Sequence, residues 1–318
     1  MSITAYFASL SLLKFVKNLP GGVAQGLIWG LMALGVYITF RLLDVADLTV
    51  DGSFTTGGAV TVMLILAGVP AWAALLVAVV AGMLAGLCTG LLHTKLGIPA
   101  ILAGILTQFS LYSINLRIMG MAANKAVSVD KFSLVLSSRS ISSAILTGAL
   151  IALALVALFY WYFGTEQGSA LRATGSNPNM SAAQGINVNR MKVLGLSLSN
   201  GIVALSGGLM AQYQGFADVN MGRGAIVIGL AAVIIGMVLG EVILGKHLNF
   251  FGTLTFTVIG GVIYYAVVVV VLWLRLNSND LKLFTAIIVA VFLAVPYLRA
   301  KRLNSFGRLK RKAAEHDA

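Results

Sequence analysis

Eight apolar runs, near residues 22–40, 70–92, 97–115, 145–163, 191–213, 224–245, 251–274 and 282–298, punctuate this chain. Each approaches the roughly 20 residues that a helix needs to cross a bilayer. In hydrocarbon every backbone amide must find an internal partner, so such runs resolve into helices packed side by side. A shorter apolar run occupies 53–68. Residues 3–19 read either as a short span or as an interfacial helix, because Lys14 and Lys17 interrupt them. No basic region precedes their apolar part and no small-residue cleavage site comes after it, which argues against a removed signal peptide. Composition agrees with a bilayer protein: charged residues make up 10% of the chain, against about 25% in a soluble domain. Too few ionic groups are present to coat a water-facing surface. The expectation is an all-α polytopic membrane protein of about 9–10 transmembrane helices. It divides into an N-terminal segment 1–21, a transmembrane domain 22–298 and a basic tail 299–318.

The net charge of +12 does not point to nucleic acid. Arg299, Lys301, Arg302, Arg308, Lys310, Arg311 and Lys312 gather directly after the last apolar run, where a cytoplasmic anchor against anionic membrane lipid is expected. With the C-terminus inside, parity makes the polar island Thr165 to Lys192 cytoplasmic and the loop from Ile118 to Ser143 external. Lys125, Lys131 and Arg139 in that loop support the orientation only weakly. The single cysteine, Cys88, excludes an internal disulfide and reads as a packing residue within its run.

Gly82, Gly86 and Gly90 recur every four residues, as do Gly26 with Gly30 and Gly236 with Gly240. Lipid gives no hydrophobic drive for helix association, so these small-residue faces are seams where backbones approach closely, within one subunit in the first instance. A weak repeat adds to this. Ala46-Asp47-Leu48-Thr49-Val50 returns in pattern as Ala217-Asp218-Val219-Asn220-Met221, each after a long span and before a Gly-rich run. Parity puts the two copies at opposite membrane faces, the arrangement of an inverted repeat. The stretch Thr49 to Gly58 also breaks the apolar pattern where a span should continue. Irregular backbone there must be buried in protein or line a watery cavity.

Asp44, Asp47 and Asp51 have two readings. On one helix they share a face and could bind a cation or relay protons. In an interfacial loop they cap the next helix, with Asp51 or Ser53 at its N-cap. Glu241 lies near the cytoplasmic end of a later run and is a poor proton relay. Gly240 to Lys246 has the spacing of a phosphate-binding loop, but His247 stands where Ser or Thr would hold magnesium and no strand precedes it. His93, His247 and His316 are too scattered for a metal site, and nothing resembles a catalytic triad.

The island Thr165 to Lys192 exceeds what a connection needs and carries its own helix signals: Asn177 can cap a helix that Pro178 begins and Gly185 ends. Leu171-Arg172-Ala173-Thr174-Gly175-Ser176-Asn177-Pro178, with Ala182-Ala183-Gln184-Gly185-Ile186 after it, resembles the cytoplasmic signature of permease subunits of bacterial ABC importers, in the branched-chain amino acid and ribose class. Asp47 to Phe54 is similar to a subgroup served by substrate-binding lipoproteins and often linked to aromatic amino acids. The resemblance covers roughly residues 20–298. It implies a fold like the vitamin B12 importer permease, with an inverted repeat and two copies around a central pathway in the bacterial inner membrane. It further implies a coupling helix docking on one of two ABC ATPase subunits, carried here by Arg172, Asn177, Pro178, Asn179, Ser181, Gln184 and Gly185. The pathway or gate would involve Asp47, Asp51, Ser53, Asp218 and Asn220. An external solute-binding protein would deliver the solute. This chain would be no enzyme and hold no cofactor or metal, ATP and Mg residing on the partner ATPase. A gradient-driven secondary transporter using the aspartate cluster is the alternative.

Overall fold

The computed structural model describes residues 12–273 together with Leu283, Ala286, Ile287, Ala290, Val291 and Ala294. Most of the run expected at 282–298, residues 1–11 and the basic tail lie outside the described residues. The chain is an all-α polytopic membrane protein. Its helices are α1 (Leu12–Tyr37), α2 (Val50–Leu66), α3 (Ala71–Thr94), α4 (Ala100–Ile118), α5 (Ile141–Gly164), α6 (Glu166–Ser176), α7 (Pro178–Ala183), α8 (Val188–Gln214), α9 (Ala225–Leu244) and α10 (Phe250–Trp273). Seven described helices, all but α2, α6 and α7, are long and apolar enough to cross a membrane. Helix α1 runs through Pro20 without a break and ends in a π-helical turn, Ile38–Leu42. Residues 12–21 thus lie in the same helix as the first span, whose apolar part begins at Val16. Pro70 and Pro99 stand just before α3 and α4, where a missing N–H costs nothing and the ring prevents backward extension.

Helices α1 and α8 form the centre: 78% and 72% of their apolar windows are buried, against 28–44% for the other spans. The glycine seams do this packing within the chain. Gly82, Gly86 and Gly90 of α3 lie against Asn200, Leu196 and Val193 of α8, an antiparallel contact. Gly26 and Gly30 of α1 lie against Val262 and Val258 of α10, and Gly236 of α9 meets Phe256 and Thr257. Cys88, expected to pack, is instead exposed on the outer face of α3. Its run is apolar all round, and only the side carrying the glycines faces α8.

Two segments dip into this bundle. After α1, Leu42 touches Gly175 of α6, Leu43 touches Gly195, and Asp47 already reaches Asn200 near the middle of α8. The chain has thus reversed and climbed beside α8 as irregular backbone before α2 starts. Gly57 and Thr61 of α2 then meet Ala204 and Gly208, so α2 runs parallel to α8 toward the opposite end. There Gly215, at φ 79°, ends α8, and β2 (Phe216–Asp218) pairs antiparallel with β1 (Asn124–Ala126), Asn124 opposite Asp218. Beyond β2 the chain turns back, placing Gly222 against the first turn of α2 before α9 begins. The first dip buries Leu43, Val45, Asp47 and Thr49 in protein, as irregular backbone at membrane depth requires, whereas Phe216, Asn220, Arg223 and Gly224 of the second are exposed.

Candidate functional site

Asp47 and Asp218 make the same local bond. Each side chain accepts the amide two residues on, Thr49 N at 2.9 Å and Asn220 N at 2.7 Å. The sequence repeat is therefore matched by a repeated turn, one leading into α2 and the other toward α9. Their surroundings differ. Asp47 is 3% exposed and accepts Asn200 Nδ2 at 2.7 Å, while Ser53 Oγ donates to Asn200 Oδ1 at 2.6 Å. Beside them the Thr49 and Thr89 hydroxyls pair at 2.7 Å and Thr89 donates to Thr107 at 2.9 Å. This buried lattice pins the first dip to α8, α3 and α4. Asn220 is exposed, and Asp218 reaches Asn124 at 3.5 Å.

The three aspartates do not share a helical face. Asp44 sits at φ 54°, in the left-handed region, and Asp47 lies before α2. Asp51 belongs to the first turn of α2, but neither it nor Ser53 caps that helix: Thr49 holds the N-cap position without a side-chain bond. Asp51 instead accepts the amides of Gly224 and Ile226, each at 2.9 Å, at the start of α9. One carboxylate in the first turn of α2 thus caps the amino end of α9, where the positive ends of the two helix dipoles converge. Gly222 makes the approach possible, since a Cβ there would collide with the Asp51 carbonyl oxygen.

A cavity of about 320 Å³ opens beside this junction, lined among others by Asp51, Thr55, Gln108, Tyr112, Asn115 and Arg223. Of the pathway residues expected from the sequence, Asp51 alone faces it; Asp47 and Ser53 are tied into the buried lattice. Arg223, Asn115 and Tyr112 had no motif to mark them. The available signal was a few polar residues on α4: Ser110, Tyr112 and Ser113 are exposed among Leu106, Phe109 and Ile114, on the described span of lowest hydropathy.

At the other end, local side-chain caps build a projecting corner. Thr165 accepts Gly168 N at 3.3 Å to start α6, a second helix in the island beside the expected one. Asn177 accepts Met180 N at 3.0 Å to start α7, and Asn187 accepts Arg190 N at 3.0 Å to start α8. Gly185, at φ 82°, ends α7 in a conformation that costs a side chain dearly. Pro178, Asn179, Gln184 and Gly185 are exposed and Ser181 is buried. Arg172 lies with its guanidinium 4.9 Å from the Phe250 ring centroid, a cation–π contact that fixes α6 to α10. His93 bonds the Ile98 carbonyl at 2.8 Å, His247 is exposed, and no metal-binding cluster occurs among the described residues.

The family model described as branched-chain amino acid transport system, permease component, matches residues 18–296. The chain is 41% identical over 279 residues to the tyrosine transport system permease protein of Clostridioides difficile (strain R20291), covering 86% of this chain and 89% of that relative. It is 34% identical over 181 residues to an uncharacterized protein of Rickettsia prowazekii (strain Madrid E), covering 57% of this chain and 63% of that protein. No solved structure matches significantly.

Proposed function

The chain belongs to the permease family of branched-chain amino acid transport systems, and from that premise we propose that it is the membrane subunit of an ATP-driven importer for an amino acid. Two copies enclose the pathway, each docks one ABC ATPase through α7, and an external binding protein delivers solute at the β1–β2 end. The C-terminus and the α6–α7 corner face the cytoplasm. The observation that carries this reading is α7 itself. A helix of six residues is far below the roughly 12 that isolated helices need, yet this one is capped at both ends and presented outward, as an element waiting to be gripped requires.

The relative named for tyrosine transport supports an aromatic amino acid as solute. The buried lattice around Asp47 weighs against gradient-driven coupling: its carboxylate is already held by Thr49 and Asn200. Uptake in liposomes bearing the chain, its ATPase and its binding protein tests the proposal. Accumulation is expected with ATP and no ion gradient. Accumulation driven by a proton or sodium gradient without ATP would overturn it.

A further inference from the structure

The cavity at the junction of α2 and α9 has the chemistry of a binding site. Its two ionic groups have opposite sign: the Asp51 carboxylate, fixed by the Gly224 and Ile226 amides, and the Arg223 guanidinium, for which no side-chain partner is found among the described residues. Asp51 also takes the Ala225 amide, and its two oxygens keep lone-pair capacity beyond these three amides. Asn115 adds an independent sign of a missing partner. It is 1% exposed, its Nδ2 reaches the Gly52 carbonyl at 3.5 Å, and its Oδ1 is buried with no hydrogen-bond partner. Buried acceptors are nearly always paired, so an orphan lining a cavity asks for a donor from whatever enters. Phe109 and Tyr112 put aromatic rings on the same wall. At about 320 Å³ the space lies at the small end of ligand pockets.

We propose that this cavity is a transient site for a zwitterionic amino acid with an aromatic side chain. The ammonium group lies toward Asp51 and the Asn115 oxygen, the carboxylate pairs with Arg223, and the ring packs on Phe109 and Tyr112. Opposite charges on the protein match opposite charges on the ligand, so each ionic group of the ligand meets a charge-assisted partner. This deepens the importer reading and rests on it. The site sits where the two re-entering helices meet, so an occupant would touch both halves of the fold as they move.

The test uses the permease–ATPase complex in nanodiscs without binding protein. Binding of radiolabelled L-tyrosine is measured by scintillation proximity, with competition by tyramine, which lacks the carboxylate, and by 3-(4-hydroxyphenyl)propionate, which lacks the ammonium. L-tyrosine is expected to bind, with each analogue weaker by about tenfold or more, the factor expected for losing a charged partner. Arg223→Gln should weaken L-tyrosine by a similar factor and leave tyramine unchanged, Arg223→Lys should restore part of the loss, and unaltered thermal unfolding serves as the folding control. Equal competition by tyramine, or no binding at millimolar L-tyrosine while ATP-driven uptake proceeds, would overturn the site and leave the importer standing. Absence of ATP-driven uptake from the full system strikes the importer reading instead.

Discussion

Asn200 makes three hydrogen bonds at once, donating its amide protons to Asp47 and to the Leu196 carbonyl and accepting the Ser53 hydroxyl at its oxygen. It is fully buried, so removing it strands a carboxylate oxygen and a hydroxyl with no water to replace the amide. Asn200→Ala should therefore lower stability by about 2–3 kcal/mol, the scale for orphaned buried polar groups, measured by equilibrium unfolding in mixed micelles. Asp47→Asn can keep the Thr49 bond and should cost nearer 1 kcal/mol, without changing the ATP dependence of uptake. Equal stability of Asn200→Ala and the parent would show that the lattice carries no net free energy. Asp51 shows how far one residue's role can travel from its own segment. Its sequence position reads as a cap for α2, yet the amides it accepts belong to α9.

Among the elements, α7 is the one whose whole design is local. Asn177 supplies the oxygen for Met180 N, Pro178 presets the first helical dihedral, and Gly185 takes the left-handed exit, all within a few residues. Such a helix has little stabilising it beyond its caps, so its ends set its shape. Replacing Pro178 with Asp and Gly185 with Val should cost about 1–2 kcal/mol at the left-handed position alone. Purified complexes are expected to keep hydrolysing ATP while uptake falls by about tenfold, the factor for 1.4 kcal/mol of lost docking. Uptake unchanged in the double variant would remove α7 from the coupling role. The re-entering segments behave differently. Their turns are local, Asp47 to Thr49 and Asp218 to Asn220, but the depth at which they sit is set by contacts with α8 and α2.

For the whole molecule, the β1–β2 pairing joins the loop after α4 to the turn after α8, and both lie opposite the α6–α7 corner. Orientation can therefore be read from a few positions. In a Cys88→Ala background, cysteines at Ser176 and Ser305 should resist a membrane-impermeant thiol reagent in intact cells, and one at Ser128, exposed in the loop, should react. Labelling at Ser176 from outside would invert the topology. Ser305 lies outside the described residues, so its reaction tests the tail's side independently of the bundle. By itself the sequence determined the bilayer as the solvent, the approximate limits of the described spans, the glycine seams, the repeated aspartate turn and both ends of α7. Those features are written in runs of about 20 residues or in bonds that close within one helical turn. Only the tertiary structure decided which face of each span is covered, why Cys88 points outward, and that Asp51, Asn115 and Arg223 share one cavity. Lipid is as apolar as the protein interior, so hydropathy cannot distinguish a buried face from a lipid-facing one. Partners distant in the chain meet only when helices pack, and no local pattern encodes that meeting.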